Sequence, residues 1–312
     1  MIWLKNALVG PVREIALRTG LSLRAARRQP VYRIVMHHGI GPGDLEADAL
    51  ERQLAWFARS FRVVALDDLI ARIANGVPPA GEVVLTFDDG LRCHAEIAVP
   101  ILRRLGLPAT FFVCPGLIDA QRWLWSHEAR ERLLSMSAQE RLGVATELPA
   151  PTAEIEPFIL WMKGLPMVRR RQVGDAIVSA SPHFVPSDSQ RALFDPLTWE
   201  QFAAFDSKLF TIGSHSSTHP MLPTLDATEL EAELTESRAV LEQRLGRVVD
   251  LFCYPSGRLD ERVRAAVART YRAAVSTRKG QVAPGDDVHD LARIHIADDV
   301  ASMAWRMFRS AA

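Results

Sequence analysis

Residues Val83-Val84-Leu85-Thr86-Phe87-Asp88-Asp89-Gly90 run from an apolar stretch straight into two adjacent carboxylates and a glycine. A short run rich in β-branched and aromatic residues, closed by a glycine, reads as a strand. Because its residues do not alternate with polar ones, both faces of that strand are buried. Two like charges side by side at its tip repel each other, so their neighbourhood must balance them. A strand-to-helix turn with an aspartate as helix cap would account for one of the pair but hardly for both.

The same pattern recurs on either side. Tyr32–Met36, Phe61–Ala65, Ala109–Val113, Phe210–Ile212, Leu251–Tyr254, Ala273–Ser276 and Ala292–Ile296 all read as strands. Helical periodicity fills the gaps, over about Asp44–Arg59, from Gly90 to Leu105, over Ala227–Leu245 and over Asp260–Thr270. Apolar strands separated by helices predict a parallel sheet covered on both faces. Some eight of them favour a closed barrel over an open sheet, because closure removes both edges. One segment, about 117–197, is helical throughout and predicts an insertion at one end of the barrel. Its Trp123 and Trp125 are expected in core packing rather than stacked on a sugar, and Arg169-Arg170-Arg171 on a solvated face.

Bulk properties narrow the function classes. The 312 residues carry 37 basic and 37 acidic side chains, so the chain shows no basic surplus for nucleic acid. Three widely spaced cysteines, Cys93, Cys114 and Cys253, form neither a disulfide framework nor a zinc ribbon and read as buried thiols. No apolar run approaches the roughly 20 residues of a membrane span. Residues 1–30 form a basic, weakly amphipathic leader ahead of a 31–312 barrel domain. That leader reads as a surface helix, or as a peripheral contact with an anionic membrane face through Trp3, Leu4, Leu8 and Val9. The corresponding location is cytoplasmic, with the leader against the inner membrane face.

Two histidines stand four apart in Gly213-Ser214-His215-Ser216-Ser217-Thr218-His219-Pro220. On a helical turn both rings would project from one face, suiting a shared metal, although Pro220 restricts any helix to a single turn. The pair follows a strand, as the double aspartate does, and parallel strands open their C-terminal ends on one face. Two imidazoles and one carboxylate then make a three-ligand site with positions left for water and substrate. Successive side chains on a strand point opposite ways, so one aspartate can bind the metal while the other takes a proton from a metal-activated water. A further strand ends in Phe252-Cys253-Tyr254-Pro255-Ser256-Gly257, a turn able to aim backbone N–H groups at an oxyanion.

Taken in order, TFDDG, SHSSTHP and FCYPSG resemble the polysaccharide deacetylase family, the carbohydrate esterases with a NodB-type domain. The resemblance covers residues 31–115 and 198–297. It implies a deformed (β/α) barrel of about seven to eight mostly parallel strands. It also implies metal-dependent hydrolysis of an acetyl group, foremost the N-acetyl of an amino sugar, on a polysaccharide, oligosaccharide or lipid-linked glycan. Zinc is the implied cation, with cobalt or nickel as alternatives. Asp88 would be the general base, Asp89, His215 and His219 the ligands, and Tyr254, Pro255, Ser256 and Gly257 the acetyl pocket, with an oxyanion N–H near Ser256. Two departures stand out. Where the family's third motif often reads R-P-P-Y-G, Cys253 replaces the arginine that steadies the base, with Arg293 as candidate substitute, and Ser256 replaces the tyrosine. The late histidine motif is also unclear, whereas His37-His38-Gly39-Ile40 is similar to the early segment of members with permuted motifs. His38 is therefore expected as the general acid, with His295 as the alternative. A hydrolase of non-sugar amides or imides, a non-haem iron oxygenase and an inactive glycan-binding homologue are the competing functions.

Overall fold

The computed structural model describes residues 2–41, 44–203 and 205–309, with side chains from residue 9 onward. Eight strands lie among them: β1 (Arg33–His37), β2 (Arg62–Val63), β3 (Glu82–Phe87), β4 (Ala109–Val113), β5 (Phe210–Ser214), β6 (Leu251–Cys253), β7 (Ala273–Lys279) and β8 (Leu291–His295). Every ladder between them is parallel, in the order β1-β8-β7-β6-β5-β4-β3-β2. β1 also pairs along the length of β3, from Arg33↔Val83 to His37↔Phe87, which closes seven strands into a ring. With one edge of β3 taken by β1, β2 and β4 must share the other. β2 holds its start (Arg62↔Glu82) and β4 its end (Phe87↔Phe111). The fold is thus a deformed (β/α) barrel of seven strands with an eighth attached. The strand expected over Phe61–Ala65 shrinks to two residues, because the chain turns into the helix Leu66–Ala74 directly after it.

Period-two alternation sorts each strand into an inner and an outer row. Ile34, Val84, Phe112, Leu251, Val275 and Leu291 come from six different strands yet pack together in one cluster, a meeting that only the barrel interior allows. Gly213 of β5 leaves room for Phe112 there, since an added Cβ would lie 2.5 Å from its ring. Two residues further along β3, β6 and β8 the inner row turns polar, with Thr86, Cys253 and Arg293. The outer row is mostly apolar, with Arg33, His37, Ser214 and Ser276 among its polar members. Val35, Leu85, Phe111 and Ile212 pack with residues of the helices Ala47–Ser60 and Val99–Leu105, while Phe252 and Ala274 lie among those of Ala227–Leu245 and Glu261–Thr270.

Between β4 and β5 the chain is helical, as expected, with a core of its own around Leu133, Met136, Phe158, Met162, Val173 and Ile177. The arginine run departs from expectation: Arg171 is exposed but Arg170 is only 5% exposed. The leader forms the helices Ile2–Arg18 and Leu21–Arg28. It is tied to the C-terminal segment by Arg33, a buried guanidinium that donates to Ala26 O (2.5 Å) and Met307 O (2.7 Å). Val9, Val12 and Ile15 are exposed, whereas the Trp3, Leu4 and Leu8 side chains lie outside the described residues. No helix among the described residues is long and apolar enough to cross a membrane.

Candidate active site and metal centre

The two aspartates part company at the end of β3. Asp88 continues the inner row of Val84 and Thr86 and points into the barrel. Asp89 takes a left-handed backbone conformation (φ 77°), uncommon for a residue with a Cβ, and Gly90 follows at φ 67°. Such strain persists where the surroundings hold it, and it concentrates at functional sites. No side-chain cap joins Asp89 to the helix that follows, so capping does not account for it.

His215 and His219 follow β5 without forming a helix. Instead Ser216 (φ 63°) and His219 (φ 56°) are left-handed, and the two rings meet edge to face at 4.8 Å. The helical geometry behind the i, i+4 argument is therefore absent, and a strained turn does the same work. That turn is held from three sides. Glu233 accepts from Ser217 N (2.8 Å), Thr218 N (2.9 Å) and Thr218 Oγ1 (2.5 Å). Ser216 Oγ accepts from His219 N (3.1 Å), and the Trp125 indole donates to His219 O (3.1 Å). Neither Glu233 nor Trp125 announces this in sequence, since each is the partner of a backbone group.

His215 Nε2 and His219 Nε2 face one oxygen of Asp89, at 3.4 and 3.7 Å. His215 Nδ1 lies 2.7 Å from Cys253 O, so that nitrogen carries the proton of the neutral ring and Nε2 presents a lone pair. Lone pair and carboxylate oxygen then confront each other in a buried place, which requires a positive charge between them. Burial works against the imidazolium, but Cys253, Asp89 and Asp88 hold His215 well above its ordinary range. The second ring cannot join it: burial, then the neighbouring His215, push His219 down to about 3. One proton therefore leaves a lone pair unsatisfied, where a divalent cation would satisfy all three groups. Donors about 2.1 Å from a tetrahedral ion stand roughly 3.4 Å apart, close to the spacing seen here. Asp89, His215 and His219 fit a metal.

Arg293 lies behind Asp88 at the centre of the barrel, fully buried. Its Nη1 donates to Asp88 Oδ1 (2.8 Å) and Thr86 Oγ1 (3.0 Å). Its Nη2 donates to Asp88 Oδ2 (2.6 Å) and Cys253 Sγ (3.1 Å), and Nε donates to Ser276 O (2.8 Å). Burial alone would raise the Asp88 carboxyl, but Arg293, His38 and His215 bring it down to about 2. The guanidinium absent from position 253 thus reaches the same carboxylate from β8. The sequence does carry a signal for it, because a charged residue inside the apolar strand Leu291–His295 needs a buried partner. Cys253 is buried, as expected of all three thiols, and packs against this ion pair.

At the rim, His38 Nε2 lies 3.8 Å from Asp88 Oδ2, with its side chain 43% exposed. His295 sits two residues beyond Arg293 on the same row, and its Nε2 lies 3.0 Å from Thr277 O. In the 254–257 loop the Tyr254 ring turns away from the interior into the outer layer, fully buried, and its hydroxyl donates to His289 O (2.7 Å). Any contact of Tyr254 with substrate would thus come from its backbone. Gly257 N donates to Tyr254 O (2.8 Å), Tyr254 N to Val275 O (3.1 Å), and Pro255 has no N–H. The Ser256 N–H, on a residue at φ 53°, is left without a partner among the described residues.

The deacetylase PplD of Streptococcus pyogenes, solved in complex with acetate, is similar over 89% of this chain and 99% of its own, with a TM-score of 0.62 at 18% identity. IcaB of Ammonifex degensii has a TM-score of 0.60 at 17% identity over 90% and 98%. The BpsB deacetylase domain of Bordetella bronchiseptica has a TM-score of 0.55 at 17% identity over 85% and 96%. At these identities the likeness is one of fold. No curated protein matches the chain. The polysaccharide deacetylase family model matches residues 75–156 and 160–274, more than half of the chain, and runs through most of the helical segment that the three motifs leave aside. With that match added to its barrel and rim, this chain belongs to the polysaccharide deacetylase family, hydrolases that take acetyl groups off glycans.

Proposed function

We propose that the substrate is the N-acetyl group of an amino sugar, carried on a polysaccharide, oligosaccharide or lipid-linked glycan. We further propose that Asp89, His215 and His219 hold a divalent cation, zinc before cobalt or nickel. The observation that carries this reading is the convergence of both Nε2 atoms on one Asp89 oxygen, beside a separate Asp88–Arg293 pair. When bound, the cation would polarise the acetyl carbonyl and acidify a water. Asp88, held at about 2, is ionised at any working pH and would be the group that accepts a proton there, as a weak base. Arg293 fixes its orientation with two parallel hydrogen bonds.

His38 would protonate the departing amine, a role supported by its position beside Asp88 and its exposure to solvent. His295 is the less suited acid, because a backbone carbonyl already engages its Nε2. The Ser256 N–H would serve the oxyanion, with Pro255 and Gly257 shaping the pocket. Cytoplasmic residence, with the leader at the inner membrane face, completes the proposal.

Acetate release from N-acetylglucosamine oligomers, measured with and without chelator, tests it. Release should stop on chelation and return with zinc. Release that persists after metal analysis reads zero would sink the assignment. Hydrolysis of cyclic amides or imides in place of the oligomers would move the substrate outside carbohydrates.

A further inference from the structure

Between the barrel and the helical segment lies a cavity of about 360 Å³ to which the reaction above gives no role. Its charged lining consists of Arg122, Arg132, Arg170, Arg171, Glu128 and Asp175. Four guanidiniums against two carboxylates leave a surplus of two positive charges. Arg122 and Arg132 both pair with Glu128, at 3.4 and 3.1 Å. Arg170 has no such partner. It is 5% exposed, its guanidinium lies 4.8 Å over the Trp125 ring, and its buried Nη1 makes no hydrogen bond among the described residues. Glu233 and Glu229 act on the Arg170 charge from a distance without pairing with it, and the Glu233 oxygens are taken by three donors of Ser217 and Thr218. A buried guanidinium without a hydrogen-bonded anion is costly, and a planar fork of N–H donors suits phosphate oxygens. Leu117, Met162, Ile177 and Val178 make the rest of the wall apolar.

We propose that this cavity binds a phosphate monoester, its phosphoryl group on Arg170 and its organic arm on the apolar wall. A phosphate monoester carries about −1.5 to −2 charges at neutral pH and presents three strong acceptor oxygens, more than a carboxylate offers the unpartnered fork of Arg170. The occupant would touch the catalytic turn. Thr218 lines the cavity, and the Trp125 indole that carries Arg170 on its face donates to His219 O. The phosphate is either part of the glycan substrate or a free effector.

Calorimetric titration of butyl phosphate into the full chain, with and without chelator, tests the site without turnover. Wild type is compared with Arg170→Gln and Gly174→Leu. Gly174 lines the cavity, and a Cβ added there meets nothing within 4 Å, so leucine fills the space and leaves Arg170 in place. The expected result is one site that survives chelation, weakens at least about ten-fold in Arg170→Gln and is lost in Gly174→Leu. Should Arg170→Gln fail to fold, Gly174→Leu decides alone. Binding that disappears with chelator, or that is equal in every folded variant, puts the phosphate elsewhere and overturns the proposal. Kinetics then separates the sources. A substrate-borne phosphate predicts competition by butyl phosphate against phosphorylated glycans alone, whereas a free effector predicts a changed kcat on neutral oligomers.

Discussion

Asp88 and Asp89 are both buried and both held ionised, by different counter-charges. For Asp88 the counter-charge is the Arg293 guanidinium. For Asp89 it is the proton or cation that its two histidines require. The substitutions should therefore separate. Asp88→Asn should lower kcat by about 10²–10⁴-fold and keep the metal. Asp89→Asn should lose metal affinity by more than the about 10–100-fold typical of an outer-sphere partner. Metal analysis beside initial rates checks both, and equal metal loss in the two variants would refute the division. Removing Arg293 would leave a buried carboxylate unpaired. Arg293→Met should cost about 3–5 kcal/mol in urea unfolding, and the Asp88→Asn/Arg293→Met double variant should recover much of it. That the aspartates differ was legible in their adjacency. Arg293 could be named as a candidate partner of Asp88, but its bidentate contact could not be read from a residue more than two hundred positions downstream.

At the scale of elements, the turn between β5 and the helix Ala227–Leu245 shows how a correct pairing can arise by an unexpected route. The four-residue spacing of His215 and His219 suggested one helical face, yet left-handed residues at 216 and 219 bring the rings together. What stabilises this strained backbone is Glu233, on the following helix, with Trp125 from the helical segment. Glu233→Gln keeps the size and loses the charge that three donors share. Metal affinity should fall about 10–100-fold, with the circular dichroism spectrum unchanged. Competition with a chromophoric chelator measures it, and unchanged affinity would mean that the turn holds itself. Sequence periodicity could not report this dependence. It describes a residue's own element, whereas Glu233 serves the backbone of another.

For the molecule as a whole, the layer between strands and helices buries polar groups together with apolar ones, and two histidines pack there against Phe87. His37 and His94 are fully buried, each with one ring nitrogen on a backbone carbonyl (Thr86 O at 3.0 Å, His38 O at 2.8 Å) and the other without a partner among the described residues. Burial, the largest influence on each, lowers both to about 4, against about 6.5 in the unfolded chain. A depressed histidine favours folding fully above the unfolded value. As pH falls from about 6.5 the unfolded chain binds protons first, so stability drops until the folded groups titrate near 4. Each histidine should remove roughly 1 kcal/mol per pH unit across that window. Chelator-treated protein unfolded in urea at pH 7 and pH 5 should show the loss, and His37→Phe should remove its share while that of His94 remains. Taken alone, the sequence determined the apolar strands, their parallel sense, the helical segment and the chemical types at the strand ends, because these follow from local hydrophobic pattern and short motifs. Only the tertiary structure decided that β1 closes on β3, that Arg293 meets Asp88, that Tyr254 faces outward and that Arg170 is buried over Trp125. Each of those is a contact between distant segments, set by which side chains fit one shared interior, and no local window of sequence contains both partners.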